Sequence, residues 1–278
     1  MSNPDNIVKT DTPAAAPTKR VALVTGAARR IGRSTALAMA RRGWDIAVHY
    51  GRSAAEADSL VAEITALGRR AVALQCDLLD ETATRQLLPR AAAALGSVSC
   101  VVNNASLFEE DNALSFGQQQ LDRHMRANVA APVLLAQALH AATPTGQQAC
   151  VINLLDQKLY NLNPDFMSYT LSKAALQCAT TTLAQALAPK VRVVGIAPGI
   201  TMVSGHQSEA DFAKAHQVTP LGRSSTPEDI ANTVCFVAES PAMTGTTLLV
   251  DGGQHLIPLQ RDVMFVATAE AGNAARPA

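Results

Sequence analysis

The chain has 278 residues, 48% of them hydrophobic, so it can bury one large core and lies within the size of single-domain α/β proteins. Its 23 basic and 23 acidic residues cancel, so bulk charge does not favour a nucleic acid or a membrane surface, and a small-molecule partner is expected. The five scattered cysteines, the absence of a membrane-length apolar run and the polar N-terminus predict a reduced, cytoplasmic protein.

The composition divides the chain into three parts. Residues 1–19 mix proline, alanine and polar residues without periodicity and are expected to be disordered. Residues 20–256 carry regular strand and helix patterns and are expected to form one domain. The tail at 257–278 is too short for a domain, and its apolar, proline-containing first part favours docking at a subunit interface.

Short apolar runs of strand length alternate with helical patterns throughout the domain. This alternation is typical of a parallel sheet with right-handed crossovers, and it predicts an α/β, doubly wound Rossmann fold flanked by helices. Ligands of these sheets bind at the carboxyl ends of the strands, so the residues that follow each run are site candidates. The predicted strands lie in VALVT, DIAVHY, AVALQC, VSCVVN, ACVINL, VRVVGI and TTLLVDGG.

The first strand leads through the turn TGAARRIG into a helix predicted from Ile31 to Arg41. A helix N-terminus presents free amides and a positive dipole end to a phosphate, and Gly26 lets the backbone approach closely. The turn therefore fits a dinucleotide pyrophosphate. Its spacing departs from GxGxxG, so a plain strand-to-helix connection is the alternative.

The end of the second strand indicates which dinucleotide is bound. No carboxylate is available there for ribose hydroxyls, whereas Arg52, with Arg29 or Arg30, supplies positive charge for a 2′-phosphate. The pattern favours NADPH over NADH, the alternative being that Arg52 is solvated surface. The strand ends through His49, Tyr50, Gly51, Arg52 and Ser53.

Polar residues also follow the third and fourth strands. Asp77 is positioned either to bond the adenine amino group or to cap the next helix. Asn103 and Asn104 follow the fourth strand and are expected at the same edge of the sheet.

Pro132 interrupts the helical pattern NVAAPVLLAQAL. Because proline has no amide hydrogen, the carbonyl of Asn128, four residues earlier, is left free to accept a hydrogen bond from a water. The alternative is that the proline only bends the helix.

Tyr169 and Lys173 lie one helical turn apart in the run SYTLSK, so a helix places them on one face. The lysine charge favours phenolate, so the pKa of Tyr169 is expected to fall and the residue becomes a candidate general acid. Such a pair is also common on ordinary helix surfaces. Asp156 ends the preceding strand, where the tyrosine helix can approach it.

Two phenylalanines are expected in loops at the same edge of the sheet. In a chain with 4% aromatic residues, Phe108 and Phe166 beside the site suggest a flat ring ligand held by stacking, with core filling as the alternative. The segment 201–218 is expected to cover the site as a lid. A further helix is predicted to begin at Thr226, because Pro227 suits its first turn.

Together, TGAARRIG, NNAS, the tyrosine with a lysine four residues later, and the turn at Pro198 and Gly199 resemble the short-chain dehydrogenase/reductase family. The resemblance implies hydride transfer from a nicotinamide, with Tyr169 as proton donor and Lys173 binding the nicotinamide ribose and assisting the tyrosine. It also implies that Asn128 holds a proton-relay water and that the protein is a homotetramer.

Two departures from the usual family pattern resemble one subgroup, the pteridine reductases and dihydromonapterin reductases. Arg30 stands where most members have glycine, and Asp156 stands where most have the catalytic serine. In that subgroup the arginine lies near the cofactor phosphates and the substrate, and an aromatic residue at the place of Phe108 stacks on the pterin. The stretch HYGRSAAEAD is similar to their NADPH-selecting segment, while the likeness weakens in the lid and after Gly253.

The chemistry of a carboxyl group agrees with this subgroup. An ionised Asp156 opposes the negative charge that builds on a ketone oxygen. With a pterin, in contrast, the carboxyl group can bond the N–H groups and relay a proton to a ring nitrogen. The leading hypothesis is therefore NADPH-dependent reduction of the C=N bond of a dihydropterin or dihydrofolate. A carbonyl or 3-oxoacyl reductase of the same family is one alternative, and a non-catalytic NADP(H)-binding regulator is the alternative from another class.

Three overlapping sets of functional residues are therefore predicted, and no metal site is expected. The expected catalytic residues are Asn128, Asp156, Tyr169 and Lys173. The expected substrate-binding residues are Arg30, Ser106, Phe108, Asp156, Phe166 and Tyr169. The expected NADPH-binding residues are Gly26, Arg29, Arg30, Ile31, His49, Tyr50, Arg52, Ser53, Asp77, Leu78, Asn104, Ala105, Ser106, Tyr169, Lys173, Pro198, Gly199 and Thr201.

Overall fold

The computed structural model describes residues 20–203, 212, 216–217, 219–262 and 265. The segment 1–19, expected to be disordered, lies outside the described residues, as do most of the expected lid and the end of the tail. Within the described part of the chain, no helix has the length and apolar content needed to cross a membrane.

Seven parallel strands form one sheet. They are β1 (Arg20–Val24), β2 (Trp44–Tyr50), β3 (Ala71–Gln75), β4 (Cys100–Asn103), β5 (Ala149–Leu154), β6 (Val191–Pro198) and β7 (Thr247–Val250). Their order across the sheet is β3-β2-β1-β4-β5-β6-β7, and every neighbouring pair is parallel. The direction of the order reverses between β1 and β4, which opens the crevice where such sheets bind ligands. The predicted doubly wound α/β fold is confirmed.

Helices cover both faces of the sheet. They are α1 (Arg30–Arg41), α2 (Ala54–Ala66), α3 (Glu81–Leu95), α4 (Gln118–Met125), α5 (Ala131–Ala142), α6 (Met167–Leu187) and α7 (Pro227–Glu239). Because side chains of a strand alternate between faces, Leu23 packs into the core beneath α3, α5 and α6, while Val24 packs into the core beneath α1, α2 and α7. The N-cap predicted for α7 is confirmed, since Thr226 and Asp229 exchange hydrogen bonds of 3.0–3.2 Å.

The sequence pattern underestimates the helical region before β5. The polar run QQQLDRHM forms α4, which was not predicted because it lacks an apolar stripe. A π-helical turn at Arg126–Ala130 then joins α4 to α5, and Pro132 occupies the first turn of α5. A missing amide hydrogen is tolerated in the first turn, and a widened turn is a common helix irregularity at functional sites.

Candidate active site

Three of the predicted catalytic side chains meet at the carboxyl end of β5. The hydroxyl of Tyr169 on α6 donates to Oδ2 of Asp156, which follows the strand, at 2.6 Å. The ammonium of Lys173 donates to the carbonyl of Leu154 at 2.7 Å and lies 5.6 Å from the centre of the Tyr169 ring. The spacing of tyrosine and lysine on one helix therefore brings both groups to one point of the site.

The start of α6 that carries Tyr169 is held by a distant residue. Phe166, directly before the helix, has a left-handed backbone with φ of 55° and provides no side-chain cap. The buried carboxylate of Asp111 instead accepts from the backbone N–H of Ser168 at 2.9 Å and also bonds its hydroxyl. A carboxylate at a helix N-terminus is favourable because it satisfies free amides and faces the positive dipole end.

The protonation of this group differs from the expectation based on sequence. Burial, and after it the adjacent Asp156 carboxylate, raises the pKa of Tyr169 well above its usual value, so the predicted lowering by Lys173 is wrong for this arrangement. Burial also raises the pKa of Asp156, against the opposing effect of its hydrogen bond from Tyr169. Burial lowers the pKa of Lys173 to about 8. The carboxyl and the phenol thus form a pair suited to holding and passing a proton.

Asn128 lies in the π-helical turn and its side chain is fully hydrogen bonded. Its Oδ1 accepts from the backbone N–H of Leu107 at 2.7 Å and from the Ser106 hydroxyl at 3.3 Å. Its Nδ2 donates to the Leu107 carbonyl and to the Ser172 hydroxyl, each at 2.9 Å. The side chain therefore ties the loop after β4 to α6, and a relay water on its backbone carbonyl stays a prediction.

A cavity of about 240 Å³ opens above the Asp156–Tyr169 pair. All the predicted substrate-binding residues except Phe166 line it, namely Arg30, Ser106, Phe108, Asp156 and Tyr169. Sequence reasoning missed four further polar lining residues, which are Gln157, Lys158, Gln254 and Asp262. The first two directly follow β5 and could have been found from that position, whereas no sequence pattern points to Asp262.

The two phenylalanines have different places. Phe166 is 3% exposed, so its predicted position at the rim is wrong, and its ring stacks on that of Phe108 with centroids 4.3 Å apart. Phe108 is 38% exposed and also meets Tyr169 edge-on at 4.7 Å. Of the two, Phe108 is therefore the exposed ring at the cavity, and Phe166 and Tyr169 hold it in place.

A larger groove of about 800 Å³ runs from this cavity along the carboxyl ends of β1 to β4. It is lined by the predicted cofactor residues Gly26, Arg29, Arg30, Ile31, His49, Tyr50, Arg52, Ser53, Asp77, Leu78, Asn104, Ala105 and Ser106. The remaining predicted cofactor residues, Tyr169, Lys173, Pro198, Gly199 and Thr201, line the smaller cavity. Arg52 is exposed, and no described residue forms a hydrogen bond or ion pair with its guanidinium.

The turn after β1 fits a pyrophosphate. Gly26 has φ of +61°, and a Cβ on Gly32 would lie 2.3 Å from the Gly26 carbonyl oxygen, so both positions require glycine. The side chain of Asn104 donates to the carbonyl of Thr25 at 2.8 Å and fixes the turn to the end of β4. Arg30 has φ of 56°, in the region that favours glycine, and its guanidinium donates to the Val203 carbonyl at 2.8 Å.

His49 and Asp77, both predicted cofactor residues, have hydrogen-bond partners within the protein. His49 is buried, and its Nδ1 accepts from the Gly26 N–H at 3.0 Å, which leaves Nε2 to donate to the Cys76 carbonyl at 3.1 Å. Its ring therefore supports the turn after β1. The alternative role of Asp77 as a helix cap is wrong, because Asp80 caps α3 and Asp77 accepts from the N–H of Leu79 in the groove wall.

The fold, the glycine turn and the Asp–Tyr–Lys group define a nicotinamide-dependent reductase site of the short-chain class. A family model described as enoyl-(acyl carrier protein) reductase matches residues 26–255. The chain therefore belongs to the short-chain dehydrogenase/reductase family and is an oxidoreductase of that family. Within the described residues, no group of three or more His, Cys, Asp or Glu is arranged to hold a metal ion.

Similar solved structures and curated relatives carry the names of different reductases. The FolM alternative dihydrofolate reductase 1 of Brucella canis, complexed with NADP, is 39% identical, with a TM-score of 0.81 over 86% of this chain and 95% of that one. A short-chain dehydrogenase from Burkholderia cenocepacia, in complex with NADP, is 32% identical, with a TM-score of 0.79 over 85% and 97%. The 3-oxoacyl-[acyl-carrier-protein] reductase of Synechocystis is 32% identical over 85% of this chain and 97% of its own length.

Proposed function

We propose that the protein reduces the C=N bond of a dihydropterin or dihydrofolate with NADPH. The observation that carries the proposal is the carboxyl group of Asp156 at 2.6 Å from the Tyr169 hydroxyl, in the place where a carbonyl reductase needs a neutral hydroxyl. Its raised pKa suits a group that delivers a proton to a ring nitrogen. The half-exposed ring of Phe108 supplies a stacking face for a flat heterocycle.

NADPH is the proposed cofactor, and when bound it supplies the hydride. The positive charge at the end of the groove comes from Arg52 and from Arg29, which is 65% exposed and pairs with Glu56 at 3.5 Å. These guanidinium groups suit a 2′-phosphate that NADH lacks. The solved structures from Brucella canis and Burkholderia cenocepacia, both in complex with NADP, support the same choice.

The proposed roles of the chain's own residues follow from their contacts. As the substrate carbon accepts hydride, the adjacent nitrogen takes a proton from the Asp156–Tyr169 pair, and solvent returns that proton afterwards. Lys173 binds the cofactor ribose and, with a relay water on the Asn128 carbonyl, reprotonates the pair. Arg30 lines both cavities and orients the phosphates and the substrate. A cytoplasmic homotetramer is proposed from the family resemblance, and light scattering tests the number of subunits.

A second candidate is reduction of a 3-oxoacyl thioester. The relatives in Synechocystis and Staphylococcus aureus that carry this activity in their names are each 32% identical over most of their length. The identity to the FolM structure of Brucella canis is higher, at 39%, and Asp156, when ionised, disfavours the oxyanion of a ketone reduction.

A substrate panel separates the candidates. NADPH absorbance is followed with dihydrobiopterin, with dihydrofolate, with an acetoacetyl thioester and without substrate. Oxidation with a pterin or folate and none above background with the thioester is the expected result. Efficient thioester reduction without pterin reduction would replace the first proposal by the second. If none of the three substrates increases NADPH oxidation above the background, both proposals are contradicted.

A further inference from the structure

The C-terminal segment lies against the active site of its own chain. Residues 257–262 run along the loop that follows β5, where the side chain of Asn161 bonds the Ile257 carbonyl and accepts from the N–H of Leu259 at 3.4 Å. Docking of this segment on a partner subunit, which the sequence suggested, stays a prediction. Its last described part brings Asp262 into the lining of the substrate cavity.

The segment is anchored by charged contacts next to the cavity. Arg261 donates through Nε to both carboxylate oxygens of Asp165, at 2.8 and 3.0 Å, and the N–H of Asp262 donates to the same carboxylate at 2.7 Å. The Phe265 ring stacks on Phe166 with centroids 5.8 Å apart. Charge-assisted bonds on a carboxylate fix the position of Asp262 more firmly than a single neutral bond does.

Lys158 connects this segment to the catalytic carboxyl group. Its side chain is 3% exposed, and its ammonium pairs with Asp262 at 2.9 Å and also bonds Asn163. Its backbone N–H donates to Oδ1 of Asp156 at 2.8 Å. A buried ammonium is costly without a partner, so the carboxylate from the C-terminal segment is what makes a lysine tolerable at this place.

The charge around Asp156 comes from several elements. The titratable and charged groups that line the cavity with it are Tyr169 and Lys173 from α6, Lys158 from the turn after β5, Asp262 from the C-terminal segment, and Arg30 at the start of α1. The charge of Asp262 raises the pKa of Asp156 and that of Tyr169, whereas Lys173 opposes this for Asp156. The C-terminal segment thus contributes to the charge balance of the proton donor.

We propose that Asp262, paired with Lys158, is a positioning residue that favours the protonated form of the Asp156–Tyr169 pair, so that the C-terminal segment sets the pH range of the reaction. The inference rests on the proposed function, because it assumes that this pair delivers the proton. In this arrangement, the buried Lys158 holds Asp262 at the cavity wall through their ion pair.

Two variants should shift the pH profile in opposite directions. Asp262→Asn removes a negative charge and leaves Lys158 positive, so Asp156 gives up its proton at lower pH and turnover declines earlier as pH rises. Lys158→Met removes the positive charge and leaves Asp262, so turnover persists to higher pH. We expect the ratio of kcat at high to low pH to fall about threefold in the first variant and to rise about threefold in the second.

The experiment measures kcat against pH for both variants with the panel substrate that the wild type reduces best. Glu239→Gln, which alters an exposed carboxylate paired with Arg20 at 3.0 Å, is the matched control and should keep the wild-type profile. If both variants lose turnover by the same factor at every pH, the Asp262–Lys158 pair has only a structural role, and the inference is overturned.

A second measurement needs no substrate. Carbon NMR of labelled aspartate follows the carboxyl of Asp156 with pH, its signal being assigned by its loss in Asp156→Asn. The expected result is titration at lower pH in Asp262→Asn and at higher pH in Lys158→Met, and coincident titration curves would overturn the inference. If the wild type reduces no pterin, the proposed function fails while this titration still decides the inference.

Discussion

The larger groove and the smaller cavity meet at Arg30, Ile31, Asn104 and Ser106, yet they are assembled differently. Most of the groove comes from short segments that directly follow the first four strands, so each residue is placed by the strand end beside it. The cavity joins the loop after β4, the end of β5, α6, the end of β6 and the C-terminal segment. Its chemistry therefore depends on contacts between residues far apart in the chain.

Because the groove and the cavity are assembled differently, substitutions in the two regions should have different effects. If the proposed function is correct, replacing an exposed residue of the groove such as Arg52 should alter cofactor affinity alone. A residue in the cavity acts through its neighbours, as Asp156 does through Tyr169 and Lys158, and its replacement should alter turnover and its pH dependence.

Replacing Asp156 by Ser should have the largest effect, a loss of about 10³-fold in kcat for the pterin, because the carboxyl half of the proton-donating pair is removed. The variant has the usual hydroxyl of the family, so weak activity on an activated ketone should be kept or gained. A fluorescence titration should give an unchanged NADPH affinity. Unaltered pterin turnover, or an equal loss in cofactor affinity, would contradict a role of Asp156 in proton delivery that is separate from cofactor binding.

Acid should destabilise the groove through His49. Burial lowers the pKa of this ring to about 4 from 6.5, so its contribution to stability is full above pH 6.5 and is lost as pH falls towards 4. The loss from this residue amounts to about 3 kcal/mol in the free energy of unfolding. Urea denaturation at pH 7 and pH 4 should show a smaller acid effect in His49→Gln, and an equal effect would contradict the assignment.

Arg52→Asp should weaken NADPH binding about tenfold and leave NADH binding within about threefold, because one set of charge-assisted bonds is lost. The matched control is Arg41→Asp, an exposed arginine at the end of α1 that lies outside the groove. Isothermal titration of both cofactors decides the matter. Equal losses for NADPH and NADH would show that the 2′-phosphate binds elsewhere.

Phe108→Ala should have the smallest effect, a rise of about fivefold in KM for the pterin, since one stacking contact is removed. Phe108→Leu keeps the bulk without the ring and should recover only part of the affinity. Steady-state kinetics with saturating NADPH measure both variants. An unchanged KM in both would mean that the substrate does not stack on this ring.

Most of the groove could be predicted from the sequence because its signals are local. The turn TGAARRIG and the residues after β2 and β4 needed only the rule that ligands meet strand ends, and the structure lines one continuous groove with them. His49 shows the limit, since a position after a strand does not reveal that both ring nitrogens bond the protein. The polar helix α4 was also missed, because its sequence pattern does not indicate a helix and its contacts in the fold stabilise it.

Sequence patterns were enough to predict the order of the strands and of the helices other than α4, the residues at the strand ends and the pairing of Tyr169 with Lys173, since periodicity and spacing depend on neighbouring residues alone. Only the tertiary structure decided that Asp111 caps α6, that Phe166 is buried beneath Phe108 and that Asp262 reaches the cavity. It also reversed the expected pKa shift of Tyr169. The physical reason is that burial and Coulomb interactions follow distance in space, which the folded chain sets between segments that are distant in sequence.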